Sequence, residues 1–332
     1  MHILLNEGYV SAFSVPELIL SESSVWSLAL QSSLAMMLVG GVGWATHWLV
    51  LARRDSESAL RWAYLYVFPI LGGIITSLIA IAWLIHGVLT WALGALGNES
   101  VVEHFDFLPG VVASVAVGVG LWAYHWWKAQ NEVARSPHLK LGANRAYDYI
   151  IAILGLGTLS VASFFILNTA LSVFTERSRA LITGQDLWKE PVALAITLIL
   201  IGAPVWGYAW RSIQRRVSGE VELGERKALS RKIFTFVVLG AGVLALVISA
   251  SASLFVFLRD LLDVGLDLDT IRDIRPAIGV ALTAAFILPY QWSVYRSDRL
   301  AEPDEERETR TRKQVSVLAQ DGSQEFVRAI ED

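Results

Sequence analysis

Trp206-Gly-Tyr-Ala-Trp210-Arg-Ser-Ile-Gln-Arg-Arg216 closes one apolar run, and Arg231-Lys-Ile-Phe-Thr-Phe236 opens the next after a polar loop that carries Arg226 and Lys227. The same phrase stands earlier in the chain. Trp44 and Trp48 lead to Arg53, Arg54 and Arg61, then to Tyr64 and Tyr66. Trp122 and Trp126 lead to Lys128, Arg135, Lys140 and Arg145, then to Tyr147 and Tyr149. Trp292, followed by Arg296 and Arg299, opens a fourth copy. The second tryptophans are 78, 84 and 82 residues apart. A helix that ends in indoles and then arginines is a helix leaving a bilayer: indoles suit the headgroup level, and guanidinium groups suit the water beyond it.

Composition agrees. Of 332 residues, 54% are hydrophobic and 17% charged, against about 25% charged in soluble domains, and the mean hydropathy is +0.50. The apolar residues gather in blocks of about 20 or more, enough to cross a ~30 Å hydrocarbon core. Backbone polar groups in that core must be satisfied within the segment, so the blocks are helices. Seven spans follow, over about 25–51, 61–96, 107–127, 145–174, 191–210, 232–262 and 276–295. The expected fold is all-α: a polytopic transmembrane bundle of seven helices built from parallel two-helix repeats. The repeat units cover about 25–96, 107–175 and 191–262, with a half unit at 276–297. Residues 1–24 hold no Lys or Arg and no run long enough to span. They read as an extracytoplasmic interfacial segment, with a re-entrant hairpin as the alternative. Residues 298–332 form a charged cytoplasmic tail, in which a small hairpin about Asp321-Gly322 and a helix from Ser323 are equal rivals.

Orientation follows from Lys and Arg. The loops after the first, third and fifth spans carry fourteen, and the loops on the other side carry six. The richer side is cytoplasmic, which puts the N-terminus outside and the C-terminus inside a plasma (inner) membrane. The tryptophans then form an aromatic belt at the cytoplasmic headgroups. Gly72-Gly73, Gly155 and Gly240 follow the opening aromatics of their helices by 6 to 9 residues, which suits a bend or a close helix contact.

The pattern resembles a bacterial integral-membrane family of tandem helix pairs, a domain of unknown function (number 5671). The residues that carry the likeness are the Trp206–Trp210 helix end, Glu225-Arg226 in the loop, Arg231, and Phe234 with Phe236. The second copy departs from it, with Asn144 where Arg61 and Arg231 stand in the others. The resemblance covers about 25–299 and implies architecture, not a mechanism.

Several chemistries are excluded or disfavoured. With no cysteine there is no disulfide, thiolate metal site or thiol nucleophile. No Asp, Glu, Lys or Arg falls mid-span, which argues against a proton-coupled pump. The seventh span has no lysine for a Schiff base. A net charge of −4 offers no field for nucleic acid. No phosphate-binding Gly-rich loop, Gly-x-Ser-x-Gly elbow or His-Glu-x-x-His helix is present.

The remaining candidates are polar groups in or near the spans. His47 and His125 occupy equivalent repeat positions, where Ala209 and Gln291 stand in the later copies. Two histidines at one depth can clamp a haem; as belt residues they would instead turn their polar tips to the headgroups. His86, Asn168 and Thr169 fall at matching depth, as interhelical hydrogen-bonding groups or as a polar lining. Asp148 reads as the local charge partner of Arg145. Asp263, Asp267, Asp269 and Asp273 have the wrong spacing for a calcium loop and read as a solvated loop with helix caps. The basic loop after the fifth span suits anionic headgroups, although setting topology already accounts for it.

The expectation from sequence is therefore a non-enzymatic scaffold or interaction component of the plasma membrane, without a cofactor, whose partners are membrane lipids and other membrane proteins. One alternative is a passive channel or facilitator for a neutral or lipid-like solute, lined by Asn168, Thr169, Ser249, Ser251 and Ser253. The other is a haem-binding redox protein using His47 and His125.

Overall fold

A computed structural model of the chain describes Leu5, Tyr9 and residues 28–51, 66–95, 99–133, 137–175, 188–218, 222–263 and 265–301. The described residues are all-α. Seven helices are long and apolar enough to cross a membrane. We label them α1 (Leu28–Ala45), α2 (Gly72–Ala92), α3 (Leu108–Val133), α4 (Pro137–Thr175), α5 (Lys189–Val217), α6 (Leu229–Asp263) and α7 (Leu268–Leu300). A π-helical turn, Thr46–Leu51, prolongs α1, and another, Tyr66–Leu71, leads into α2. One-turn helices lie at Val101–His104 and Glu222–Arg226. The chain forms two compact units, Met1–Gln291 and Trp292–Asp332.

Several helices outrun the apolar blocks that mark them. α5, expected to stop near Trp210, runs on to Val217, so Arg211, Arg215 and Arg216 stand on a helix and not in a loop. α4 starts at Pro137, eight residues ahead of the expected Arg145. α7 starts at Leu268 and runs to Leu300, past both expected ends. Hydropathy marks where the membrane ends. The helix continues into water because Arg, Gln, Lys and Glu are good helix formers. α7 begins where Asp267 Oδ1 accepts the backbone N–H groups of Asp269 and Thr270, at 2.9 and 3.0 Å, an N-cap. Val101–His104 begins on a capping box between Ser100 and Glu103.

Within the first unit, helices pair across the loops far from the tryptophans. α2 lies antiparallel to α3, and α4 to α5. The first pair crosses at Gly73. A Cβ there would sit 2.6 Å from the Gly118 carbonyl oxygen and 2.8 Å from the Trp122 nitrogen. The second crosses at Gly155, where a Cβ would sit 2.5 Å from the Trp206 nitrogen, with the Gly155 carbonyl close to Gly202. α6 meets α7 at Gly242, whose Cβ would sit 2.6 Å from a Leu288 methyl. The first two contacts are backbone crossings, and the third, in the matching register, meets a side chain. A glycine of the even helix meets the residue four before the second tryptophan of the next odd helix: Trp122, Trp206 and Leu288. Only glycine lets backbones approach this closely, and in a bilayer such packing is a main source of helix association. Gly240 and Gly72, expected at a bend or a close helix contact, have nothing within 4 Å of a Cβ among the described residues. In α2 the π turn explains the shift. Its i→i+5 bonding takes one more residue per turn, and that brings Gly73 into the place that Gly72 would hold.

Ring contacts gather at the end where these pairs carry their tryptophans. Trp48 meets His125 at 5.5 Å, Trp126 meets Tyr147 at 5.3 Å, and Trp210 meets Phe234 at 5.5 Å and Tyr290 at 6.1 Å. The expected belt is in part a core. Trp48 is 3% exposed and Trp210 6%, whereas Trp44 and Trp127 face outward. Tryptophans four apart share one face of a helix, but Trp48 lies deeper than Trp44, against His125, and Trp126 and Trp210 pack on the aromatics that open the next even helix. In the second unit, Trp292 packs on Tyr295 at 5.4 Å, and Arg299 lies over that ring and donates to its hydroxyl at 3.0 Å.

Candidate functional site

The most heavily bonded polar site in the first unit is an ion-pair cluster where α4, α5 and the Glu222–Arg226 turn meet. α4 contributes Arg145 and Asp148, three apart and hence on one face. The two extra turns of α5 contribute Ser212 and Arg216, four apart. Glu225 comes from the short turn and is 1% exposed. Arg145 Nε donates to Glu225 Oε2 at 2.6 Å. Arg216 Nε donates to the other oxygen, Oε1, at 3.5 Å. Arg216 Nη1 donates to Asp148 Oδ2 at 2.6 Å and to Ser212 Oγ at 3.1 Å, and Ser212 Oγ donates to Asp148 Oδ2 at 2.9 Å. Arg231, buried at the start of α6, lies close by Tyr149.

Arg216 therefore bridges two carboxylates, and Glu225 holds two arginines. Asp148 pairs with Arg216, 68 residues away, and not with its neighbour Arg145 as expected. The expectation rested on i,i+3 spacing; what decides is the length of α5, which carries Arg216 beside Asp148. The aromatics around the cluster are ordered as well. Trp210 Nε1 donates to the Tyr290 hydroxyl at 2.6 Å, and Tyr149 and Trp210 both pack on Phe234. This is the arrangement of a clasp, which holds the α5–α6 connection against α4.

The sequence-derived candidates fall elsewhere. His125 is buried, with Nδ1 at 2.8 Å from the Leu121 carbonyl oxygen of its own helix. Its ring meets Trp48 and Tyr124. His47 is exposed on the neighbouring position of its helix, so it is the indole of Trp48 that faces His125. The equivalent Ala209 and Gln291 are fully buried; from α3 onward this position is interior, and His125 is not a belt residue. Gln291 has no hydrogen-bond partner at either amide atom.

His86, Asn168 and Thr169 do not meet. His86 Nδ1 is buried without a partner in α2. Asn168 Oδ1 accepts from Arg275 of α7 at 3.2 Å, and Arg275 also donates to Thr175 at 3.3 Å. Thr169 is buried. Ser249 is buried, Ser251 exposed and Ser253 intermediate, because steps of two residues turn a helix by about 200°. The aspartates after α6 are spoken for: Asp267 caps α7, Asp269 pairs with Arg272, and Asp273 with Arg259 at 3.0 Å. Among the described residues no group of three or more His, Cys, Asp or Glu could hold a metal ion.

Among the described residues several clefts border the helices, one of them of about 440 Å³ between α2 and α3 beside Trp83 and Phe107, and none of those described is lined by His86, Asn168 or Thr169. Another, of about 410 Å³, opens between α4, α6 and α7, walled by residues such as Phe164, Val237 and Ile287. A third, of about 580 Å³, lies among α2, α3, α4 and α5, with Ile74, Trp122, Tyr147 and Val205 in its walls. A fourth, of about 600 Å³, runs along α5 from Ala203 to Arg215.

The family model described as Domain of unknown function (DUF5671) matches residues 12–109 and 145–286. The chain belongs to that family. Comparison with curated proteins and with solved structures gave no match. Within the DUF5671 matches lie all five residues of the clasp and all three crossing glycines. Of the residues that carried the resemblance, Trp210, Glu225, Arg231 and Phe234 are buried here, and Phe236 faces outward. The sequence singled out Glu225 and Arg231 but not Arg216, which in the chain looks like any other topology-setting arginine.

Proposed function

We propose that this DUF5671 protein is a non-enzymatic scaffold of the plasma membrane that binds another membrane protein through α1. The observation that carries the reading is the open face of α1. Gly40 and Trp44 stand eight and four residues before Trp48. That is the register in which Gly118 and Trp122 receive α2, and Gly202 and Trp206 receive α4. In α1 nothing among the described residues lies within 4 Å of a Cβ built on Gly40, Gly41 or Gly43, and Trp44 is 42% exposed. Of the seven spans α1 is the least buried. Among the described residues its indole end is held by Trp44 on Tyr124 and Trp48 on His125, and Leu30 near its other end is buried. A helix with a seam of small residues, supplied by a partner chain, fits the place that α2 and α4 fill on α3 and α5. The Lys and Arg distribution supports an orientation with the tryptophan ends toward the cytoplasm.

The absence of cysteine makes a direct test simple. Gly40→Cys and Gly43→Cys, cross-linked in native membranes, should give a discrete adduct with a second polypeptide. Val243→Cys and Val247→Cys, on an equally exposed face of α6, should not. Equal cross-linking from both helices, or an adduct only within the chain, would overturn the reading.

A further inference from the structure

The clasp uses some of the cations at the tryptophan end and leaves two others open. Arg216 turns inward to Asp148 and Glu225. Arg211 and Arg215, one helical turn apart on a different face of α5, are exposed and make no ion pair or hydrogen bond among the described residues. They close the basic end of the cleft along α5, whose apolar end is Ala203, Pro204 and Tyr208. Pro204 and Tyr208 also wall the cleft among α2, α3, α4 and α5, where Ile74, Leu78, Trp122 and Val205 supply an apolar surface. The two clefts thus share a wall, and polarity runs along it from aliphatic through a 73% exposed tyrosine to two guanidinium groups. From Pro204 to Arg215 the helix rises about 16 Å, close to the ~15 Å depth of one leaflet's hydrocarbon.

We propose that this face of α5 binds one anionic phospholipid, its phosphate held by Arg211 and Arg215 and an acyl chain laid in the apolar cleft beside Tyr208. Two guanidinium groups one turn apart suit a phosphodiester, which accepts forked, charge-assisted hydrogen bonds. A soluble anion would use the arginines but leave the apolar cleft idle. A zwitterionic lipid would fill the cleft but bring its own cation to the arginines. The site is separate from the seam on α1, so either proposal can fail while the other stands.

The test uses the full chain, purified from membranes and reconstituted with phosphatidylethanolamine and phosphatidylglycerol, with bound lipid counted by native mass spectrometry. The wild type should retain one phosphatidylglycerol. The Arg211→Gln/Arg215→Gln variant should bind it about thirtyfold more weakly, at ~1 kcal/mol for each basic side chain near an anionic surface. Neither arginine has an ion pair or hydrogen bond among the described residues to lose, so the variant should unfold like the wild type. Lys232→Gln/Arg296→Gln, which removes two charges from other helices, should retain the lipid. Tyr208→Asp, which places a carboxylate in the shared wall, should lose it. Equal loss in both double variants would show a diffuse basic surface and overturn the proposal. So would equal retention of phosphatidylcholine, or displacement of the lipid by millimolar inorganic phosphate.

Discussion

Replacing Gly155 by alanine tests the packing of the bundle where a glycine comes closest to the backbone of another helix. The new methyl would lie 2.5 Å from the Trp206 nitrogen and 2.7 Å from its Cα. Both are backbone atoms, so no side-chain rotation relieves the clash. To reach an ordinary contact distance α4 and α5 must separate by roughly 1 Å, and a gap of that size forfeits a quarter to a half of the dispersion energy at the crossing. Overpacking of this kind costs about 1–3 kcal/mol. Gly157, one side of the helix away, has nothing within 4 Å of its Cβ position. Alanine there should stabilise by about 0.5–1 kcal/mol through the lower entropy of the unfolded chain. Gly73→Ala should resemble Gly155→Ala, because it too meets backbone. Gly242→Ala should cost less, because it meets the methyls of Leu288, which can turn aside. Reversible unfolding of the purified protein in mixed micelles would give the order. If Gly155→Ala and Gly157→Ala shift stability in the same direction, or Gly242→Ala proves the most damaging, the crossings described here are wrong.

Two further outcomes bear on the clasp. Glu225→Gln leaves Arg145 and Arg216 short of their shared carboxylate in a buried setting, and should cost about 3 kcal/mol, whereas Arg215→Gln, on an exposed and unpaired residue, should stay within ~0.5 kcal/mol; the same unfolding assay separates them. Trp210→Phe and Tyr290→Phe remove the two ends of one hydrogen bond, so a double-mutant cycle should return a coupling of about 1 kcal/mol, and a coupling of zero would mean the pair is not formed.

The number of spans and their all-helical character were legible because a bilayer leaves a chain few choices: long apolar blocks must be helices. The limits of the helices were not, since α5 passes Trp210 into a run of arginines that hydropathy scores as loop. That error carried into the site. With Arg216 taken for a loop residue, the nearest cation to Asp148 was Arg145, and the real pairing, which spans 68 residues, could not be foreseen. Glu225 stood out by resemblance alone. No periodicity marks a carboxylate in a five-residue turn as the partner of an arginine 80 residues earlier. The tryptophans show a different limit. Their spacing places both on one face, but burial depends on which helix lies over that face, and that is tertiary information.

The recurring crossing also explains why the sequence period and the packing pairs are out of phase. Read from tryptophan to tryptophan, the period groups each odd helix with the even helix after it, across the basic loop. Packing groups α2 with α3 and α4 with α5, across the far loop, because that is where glycine and indole backbone come together. α3 and α5 therefore each offer a seam that is filled by the helix standing before it. α1 carries Gly40 and Trp44 in the same register, and nothing among the described residues fills its seam. In water such a surface would be a liability; among lipid tails an apolar face costs nothing by itself, and what favours filling it is the close backbone approach that small residues permit. A partner helix without a small residue at the crossing would be held off by the same clash that forbids alanine at Gly155. The seam should therefore discriminate between membrane helices by the size of one residue.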